Sequence, residues 1–224
     1  MDIVKDISLQ RIINDPRTHI YITMADQHLE RIGYTEHGKY HAEFVSDRAA
    51  FILKMLGFPD KIVTLAAVAG YLHDLGNLIS RNNHGLSSAF LAKDILLDNE
   101  FTIEETATVM SAIGNHEDDG SEITNEITAA VIIADKTHVH RNRVRNRNFI
   151  TFDIHDRVNY AVTESRIDVD STKKEILLNL VIDTRISEVV EYFEIFLSRM
   201  LLCKRAAEYL DTKFSMFINN VKLI

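Results

Sequence analysis

The stretch AAVAGYLHDLGNLI, residues 66–79, runs an apolar segment directly into a histidine and an aspartate and then reaches a glycine. Small and branched apolar residues in this order are typical of a buried helix that ends near His73. A histidine–aspartate pair at a helix end is most often a cap or a surface ion pair. The rest of the chain favours a second interpretation, in which His73 and Asp74 face a buried polar site.

The composition is that of an ordinary globular protein. The chain has 224 residues, of which 46% are hydrophobic and 26% charged, which suffices for one large domain or for one domain with a smaller appendage. No apolar run approaches the roughly 18 residues of a membrane helix, and the first residues lack the pattern of a secretory signal. We therefore expect a soluble, unprocessed protein with no membrane partner.

Cysteine content and net charge narrow the compartment and the partners. Cys203 is the single cysteine, which excludes an internal disulfide and a multi-cysteine zinc site and suits the reducing cytoplasm. The formal net charge of −8 argues against extended nucleic acid as a partner, because nonspecific binding of this kind needs a basic surface. A small anion held in a local basic pocket is compatible with this charge.

The first two thirds of the chain has the pattern of a helical domain. Both prolines stand at helix-start positions, and Thr102 with Glu105 forms a capping-box pattern. Apolar residues recur at three- and four-residue spacing and predict helices over 3–13, 16–32, 35–56, 60–73, 86–98, 103–114 and 125–145.

The residue pattern changes from helical to mixed after residue 150. Strand-like residues at 158–169 and 174–182 flank a turn, and a long helix over 186–211 and a last strand over 213–224 complete a ββαβ unit. The alternation changes phase between Val162 and Ile167, which predicts a β-bulge. We predict a mainly α fold, with a helical domain over 1–148 and a ββαβ (α+β) C-terminal subdomain over 149–224.

Several histidines and one further aspartate stand at helix ends or on apolar helix faces, as His73 and Asp74 do. A carboxylate among apolar helical neighbours is costly to bury unless it is paired or bound to a metal, and Asp135 has this setting. The candidates that join His73 and Asp74 are His37, His41, His84, His116 and Asp135. Imidazole and carboxylate groups without thiolates suit iron, manganese or zinc. Asp74 is the natural bridge between two cations, and with His73 it is the candidate catalytic pair.

The ordered series of His41, the pair His73-Asp74, His84, His116 in GNHEDDG and Asp135 in IIADK resembles the ligand series of the HD-domain superfamily of metal-dependent phosphohydrolases. The resemblance covers about residues 35–145 and implies a helical bundle with a dinuclear centre, containing iron or manganese, with magnesium, cobalt, nickel or zinc as alternatives. It implies that His41 and Asp135 bind one metal and that His84 and His116 bind the other, with Asp74 shared.

The resemblance is less close to two branches of that superfamily. The glycine-tyrosine-proline signature of HD-GYP phosphodiesterases is replaced by NHEDDGSEIT, and the basic elements of large deoxynucleotide triphosphohydrolases are not evident. His37 occupies the spacing at which some relatives place a ligand to a third metal. The resemblance therefore implies a phosphohydrolase acting on a small phosphorylated, nucleotide-like metabolite, without naming it.

An arginine-rich segment follows Asp135 and is a candidate for binding substrate phosphate. If the helix continues through it, Arg141 and Arg145 lie one or two turns beyond Asp135, and His138 lies on the same face as Asp135. Lys136 is turned by roughly 100° from Asp135 and is a weaker candidate. The alternative is a solvated basic turn that complements the helix dipole.

Two other functions are open at this stage. A few HD-fold proteins are dinuclear iron oxygenases that hold their metals with the same six ligands. The other alternative is a noncatalytic module that binds a nucleotide or a metal without turnover. The C-terminal subdomain carries no catalytic motif. We expect it to mediate homodimer formation or to complete the pocket.

Overall fold

The structure of the protein is a computed structural model that describes residues 7–117, 122–146 and 152–224. Within these ranges the chain forms nine α-helices and a four-stranded sheet. The helices are α1 Ile7–Asn14, α2 Pro16–Arg31, α3 Lys39–Met55, α4 Asp60–Leu72, α5 His84–Asp98, α6 Ile103–Gly114, α7 Glu126–Lys136, α8 Ile154–Ala161 and α9 Val189–Tyr209. The strands are β1 Val162–Asp170, β2 Glu175–Ile182, β3 Lys213–Ile218 and β4 Val221–Lys222.

This architecture confirms the prediction of a mainly α fold with a C-terminal α+β appendage. The first residues of the predicted helix 3–13 lie outside the described ranges. So does the predicted boundary between 148 and 149, and the division into two domains stays a prediction.

Helices α4 and α7 lie at the centre of the helical part. All of α4 from Val63 to Leu72 is buried, as is α7 from Ile127 to Ala134. A helix that is apolar on every side is buried on every side, and α3 and α6 pack against both. Gly70 allows the close approach of α3, because a Cβ at this position would lie 3.0 Å from the backbone of Ser46.

Most helix boundaries agree with the predicted caps, but the end of α7 does not. The Thr102–Glu105 capping box is present at the start of α6. Helix α7 ends at Lys136 and not near residue 145, and a short 3₁₀ helix, Arg141–Arg143, follows. Arg48 donates to the carbonyl oxygen of Thr137 at 3.1 Å and so satisfies an acceptor that a longer helix would have used.

The C-terminal sheet contains two hairpins joined by a helix. Strand β2 pairs antiparallel with β1 and parallel with β3, with α9 as the crossover, and β3 pairs antiparallel with β4. The register shifts between Val162 and Glu164, as the change of phase predicted. The predicted last strand is interrupted at Asn219 and Asn220, whose φ angles of 50° and 65° place both in the left-handed turn conformation.

Helix α8 is the other departure from the predicted C-terminal elements. Residues 158–161 were predicted as the beginning of a strand, whereas they form the last turn of α8. The Asp153 carboxylate accepts a hydrogen bond from the backbone N–H of Asp156 at 2.8 Å and caps the start of this helix. An aspartate in this position stabilises a helix start, and it outweighs the strand-like residues that follow.

Helix α9 ties the appendage to the helical part. It packs on both α7 and β3, and its buried residues include Tyr192, Phe196 and Met200. Arg199 follows Phe196 by three residues and therefore lies on a neighbouring part of the same face. Neither α9 nor any other helix in the described ranges combines the length and the apolar character that crossing a bilayer requires.

Candidate metal centre

Three of the predicted ligands are oriented by the same local hydrogen bond. The Nδ1 atoms of His73, His84 and His116 lie 2.7, 3.1 and 2.6 Å from the carbonyl oxygen three positions earlier in the chain. An imidazole that donates through Nδ1 presents the lone pair of Nε2 to its other side. The ring of His116 lies 4.9 Å from that of His73 and 5.0 Å from that of His84, so the three rings form one buried group.

Asp74 lies between two sets of histidines. Its Oδ1 atom is 3.0 Å from Nε2 of His84 and accepts a hydrogen bond from Nδ2 of Asn77 at 2.8 Å. Its Oδ2 atom is 3.5 Å from Nε2 of both His41 and His73, and within the described residues it forms no hydrogen bond. The two carboxylate oxygens therefore face different histidines, which is the arrangement of a bridging ligand.

His41 and Asp135 complete the side opposite His84. Nε2 of His41 lies 3.2 Å from Nε2 of His73 and 3.3 Å from Oδ1 of Asp135. Nδ1 of His41 lies 2.8 Å from Nδ1 of His138, whose ring stacks on Phe44 with centroids 3.6 Å apart. One of the two Nδ1 atoms donates to the other, and this bond fixes the orientation of the His41 ring.

These side chains are able to hold metal ions. Among the described residues, buried atoms without a hydrogen-bond partner include Oδ2 of Asp74 and Nε2 of His116, as expected where a ligand takes their lone pairs. Imidazole nitrogens and carboxylate oxygens are the donors of iron, manganese and zinc sites. Three overlapping groups have all their donor atoms within 4.8 Å of one another, namely His41, His73 and Asp74; His73, His116 and Asp135; and Asp74, His84 and His116.

Burial and nearby charges set the protonation of the cluster. Burial lowers the pKa of His41 to about 4 and holds the pKa of His116 well below its ordinary value. Burial also opposes the charge on His84, but hydrogen bonds to Asp74 and Glu117 outweigh it and raise the pKa of His84 to about 9. The pKa of Asp74 lies well below the ordinary value, because the neighbouring histidines outweigh its burial. Burial likewise opposes the charge on His73, but the Asp74 and Asp135 carboxylates outweigh it and raise the pKa of His73. Because a metal binds the neutral imidazole, a cation at His73 or His84 would take the place of the ring proton that these carboxylates stabilise.

Cationic side chains from four parts of the chain surround the ligand cluster. A small cavity bounded by Asp74, His84 and Asp135 is also lined by Arg81, Lys136, Arg143 and Arg199. Nη1 of Arg81 lies 3.3 Å from Nε2 of His84. Arg143 is buried, and its guanidinium donates to the carbonyl oxygens of His138 and Glu36. The ligand cluster therefore borders a surface that suits an anion.

Sequence patterns did not indicate three residues of this site. Arg81 stands three positions before His84, and Glu117 directly follows His116, so closeness to a predicted ligand was the available signal. The Glu117 carboxylate contacts Nδ1 of His84 and accepts from the backbone N–H of Gly85 at 3.0 Å. Arg199 lies far along the chain in α9, and nothing in its neighbourhood marks it as a site residue.

The arginines singled out by the sequence lie elsewhere. Because α7 stops at Lys136, Arg141 is carried to a position 5.2 Å from the Tyr160 ring, and Arg145 pairs with Asp26. Neither is among the residues that line the cavity at the ligand cluster. Arg143, between them in sequence, does line it.

The structure also places the three other candidates, Lys136, His37 and His138, near the cluster. Lys136 is buried and its Nζ lies 2.9 Å from Oδ2 of Asp135, so it faces the cluster, contrary to the helical-wheel prediction. His37 lines the cavity, and its Nδ1 donates to the Thr35 carbonyl oxygen at 2.7 Å. It belongs to none of the three donor groups found within the described residues. His138, predicted to bind phosphate, contacts His41 and also lines a larger neighbouring cavity, and its role in phosphate binding stays a prediction.

Comparison with known proteins gives limited similarity. No family model matches the chain. The uncharacterized protein MJ1020 of Methanocaldococcus jannaschii is 29% identical over 157 residues, which cover 60% of this chain and 60% of that protein. The matched part of the chain thus spans less than two thirds of the relative's length.

Proposed function

We propose that the protein is a metal-dependent phosphohydrolase that cleaves a phosphate ester or anhydride of a small, nucleotide-like metabolite. The observation that carries the proposal is that the buried histidine–aspartate cluster borders three arginines, Arg81, Arg143 and Arg199, which we call the cationic wall. Carboxylates and neutral imidazoles bind metal cations, whereas arginine binds phosphate oxygens. Metal-dependent hydrolysis of a phosphorylated substrate requires a metal site and a phosphate site next to each other.

Each part of the cluster has a role in this proposal. A bound dinuclear centre would lower the pKa of a coordinated water and neutralise charge on the phosphate. Asn77 holds the Asp74 carboxylate through its hydrogen bond to Oδ1, and His138 holds the His41 ring. The residues that would hold one metal are His41, His73, Asp74 and Asp135, and those that would hold the second are Asp74, His84 and His116.

The cationic wall would bind and orient the phosphate. In the described part of the chain, no carboxylate lies within ion-pairing distance of Arg81, Arg143 or Arg199, so their positive charges are available to an anion. A hydrogen bond to a charged group contributes about 1.5–3 kcal/mol, which corresponds to roughly one to two orders of magnitude in affinity. Lys136 is already bonded to Asp135 and serves instead to keep that carboxylate ionised.

The same ligands would also serve an iron oxygenase or a module that binds without turnover. The arginines favour the phosphohydrolase over an oxygenase that acts on an uncharged substrate, because such a substrate has no negative charge for arginine to bind. Measured turnover separates the phosphohydrolase from a module that binds without turnover.

The test is a phosphate-release screen on protein stripped with chelator and reloaded with manganese, iron, cobalt, magnesium, nickel or zinc. Nucleotides and phosphosugars are the substrates, and metal content is measured in parallel. We expect metal-dependent release by the parent protein and none by Asp74→Asn, in which the side chain keeps its shape but loses its charge. Asp94→Asn, an exposed change on α5, is the control and should behave as the parent.

Two results would contradict the proposal. Asp74→Asn protein that retains both metal and activity would remove Asp74 from the site. Oxygen consumption by iron-loaded protein, with no phosphate release under any metal, would favour the oxygenase.

A further inference from the structure

A cavity of about 350 Å³ adjoins the ligand cluster and extends to α8 and α9. It shares His37, Arg81, Arg143 and Arg199 with the small cavity beside Asp74 and Asp135, so the two spaces meet at the arginines. A volume of this size is within the range of small-molecule sites. A substrate whose phosphate lies at the arginines therefore has room for the rest of the molecule in this cavity.

The end of the cavity at the cluster is cationic. The Arg143 guanidinium is buried and bonded to carbonyl oxygens, which orient it without neutralising its charge. Arg81 lies over the Tyr34 ring at 5.3 Å, and Arg199 lies over the Phe196 ring at 4.9 Å. The aromatic rings hold the two flexible side chains in place, and both guanidinium groups line the cavity.

Two aspartates line the larger cavity but not the small one beside the cluster. They are Asp153 and Asp156 at the start of α8, where His155 and Asn159 also line the wall. Asp153 is held by its capping bond, and Asp156 accepts from Nδ2 of Asn146 at 3.3 Å. Carboxylate and amide groups accept hydrogen bonds from hydroxyl and amino groups and repel anions.

We propose that the substrate is a phosphomonoester whose remaining part is uncharged or positively charged and carries hydroxyl or amino groups, and that α8 excludes compounds with a second anionic group. The proposal rests on the proposed phosphohydrolase function. Arg81, Arg143 and Arg199, which border both cavities, take the phosphate, and Asp153 and Asp156, which border only the larger cavity, face the rest of the molecule. A second phosphate or a carboxylate there meets two carboxylates of the protein.

The experiment compares three phosphomonoesters that differ at the end remote from the phosphate. Glycerol 1-phosphate is neutral there, phosphoethanolamine is positive, and 3-phosphoglycerate carries a carboxylate. Binding to manganese-loaded protein is measured by calorimetry, and phosphate release is measured separately as kcat/KM. We expect the neutral and positive compounds to bind at least tenfold more tightly than 3-phosphoglycerate.

Substitutions on α8 connect this preference to the structure. Asp153→Asn and Asp156→Asn, singly and combined, should reduce the preference by improving binding of 3-phosphoglycerate, and asparagine at 153 still caps the helix. Asp94→Asn removes the same charge from the exposed side of α5 and should leave the preference unchanged. Circular dichroism and unfolding curves establish that each variant is folded.

The outcomes separate this inference from the function on which it rests. Equal or tighter binding of 3-phosphoglycerate by the parent protein overturns the charge rule, even if phosphate is released from every compound. An unchanged preference in the folded double variant shows that α8 is not its source and overturns the assignment. Selective binding without release from any phosphomonoester supports the charge rule and contradicts the phosphohydrolase.

Discussion

Gly76, two residues after Asp74, is the position at which a single methyl group should disturb the site most. An added Cβ would lie 2.2 Å from the carbonyl oxygen of His84 and 2.6 Å from the backbone nitrogen of Ser88. Both atoms belong to the backbone of α5, which cannot rotate away as a side chain would. Gly76→Ala therefore forces the segment after Asp74 away from the helix that carries His84.

The expected loss of stability follows from three contributions. Overpacking costs up to about 3 kcal/mol, and the bond from the Gly76 N–H to Oγ of Ser88, now 2.7 Å long, contributes roughly 1 kcal/mol more if it breaks. The reduced freedom of the unfolded chain offsets about 1 kcal/mol. The net loss is about 3 kcal/mol, or roughly 10 °C in melting temperature for a chain of this size.

Gly114→Ala is the matched control for this prediction. Its added Cβ would lie 3.8 Å from Leu86 and 3.9 Å from Ala89, which is ordinary contact, and its place in the last turn of α6 favours alanine. Thermal and urea unfolding of the chelator-treated proteins measure both changes. Surface substitutions usually change the free energy of unfolding by no more than about 0.5 kcal/mol. A change this small in Gly76→Ala would refute the close approach between Gly76 and α5.

Three further predictions concern the metals, the phosphate and acid stability. Asp74→Ala should abolish metal binding, whereas His84→Ala should lose one metal of two; equal metal contents would remove the shared role of Asp74. Arg199→Ala should weaken binding of inorganic phosphate to manganese-loaded protein by roughly ten- to a hundredfold, and Arg141→Ala should not; the reverse order would restore the arginine-rich segment as the phosphate site. Hydrogen bonds from Arg17 hold the pKa of Asp15 at about 2, below its ordinary 3.8, so this stabilisation is complete above about pH 5 and is lost as the pH falls toward 2. Asp15→Asn should therefore lower the free energy of unfolding by about 1 kcal/mol at pH 7, after allowance for the exposure of Arg17. The unfolding curves of parent and variant should converge as the pH falls toward 2, and a difference that is constant with pH would contradict the assignment.

The helices and their starts were predictable because their signals lie within a few residues of one another. The capping box at Thr102 and the proline at the start of α2 act on the turn that contains them, and the structure has both. Helix ends were less predictable. Residues 137–145 continue a plausible helical pattern, yet the carbonyl oxygen of Thr137 is bonded to Arg48 on α3, a contact that no local pattern contains.

The cluster around Asp74 was predictable for a related reason. A buried helix that ends in a histidine and an aspartate must satisfy both side chains, and the spacing of the other histidines limited the partners. The sequence predicted Asp74 as a bridge, but it did not indicate the packing that turns Oδ1 toward His84 and Oδ2 toward His41 and His73. That geometry depends on how the 3₁₀ helix Leu75–Leu78 packs against the start of α5, and Gly76 allows this packing.

The charges around the cluster were decided by the tertiary structure alone. Composition and periodicity indicated a helical protein with an appendage, since these properties arise from neighbouring residues, and the resemblance implied the set of candidate metal ligands. The cationic wall instead joins Arg81 before α5, Arg143 beyond α7 and Arg199 in α9, and the two aspartates of the larger cavity come from the start of α8. Residues this far apart in the chain meet because α9 packs on α7 and α8 packs on α9 and on the 3₁₀ helix Arg141–Arg143. The direction of each side chain is set by this packing as well as by its own segment.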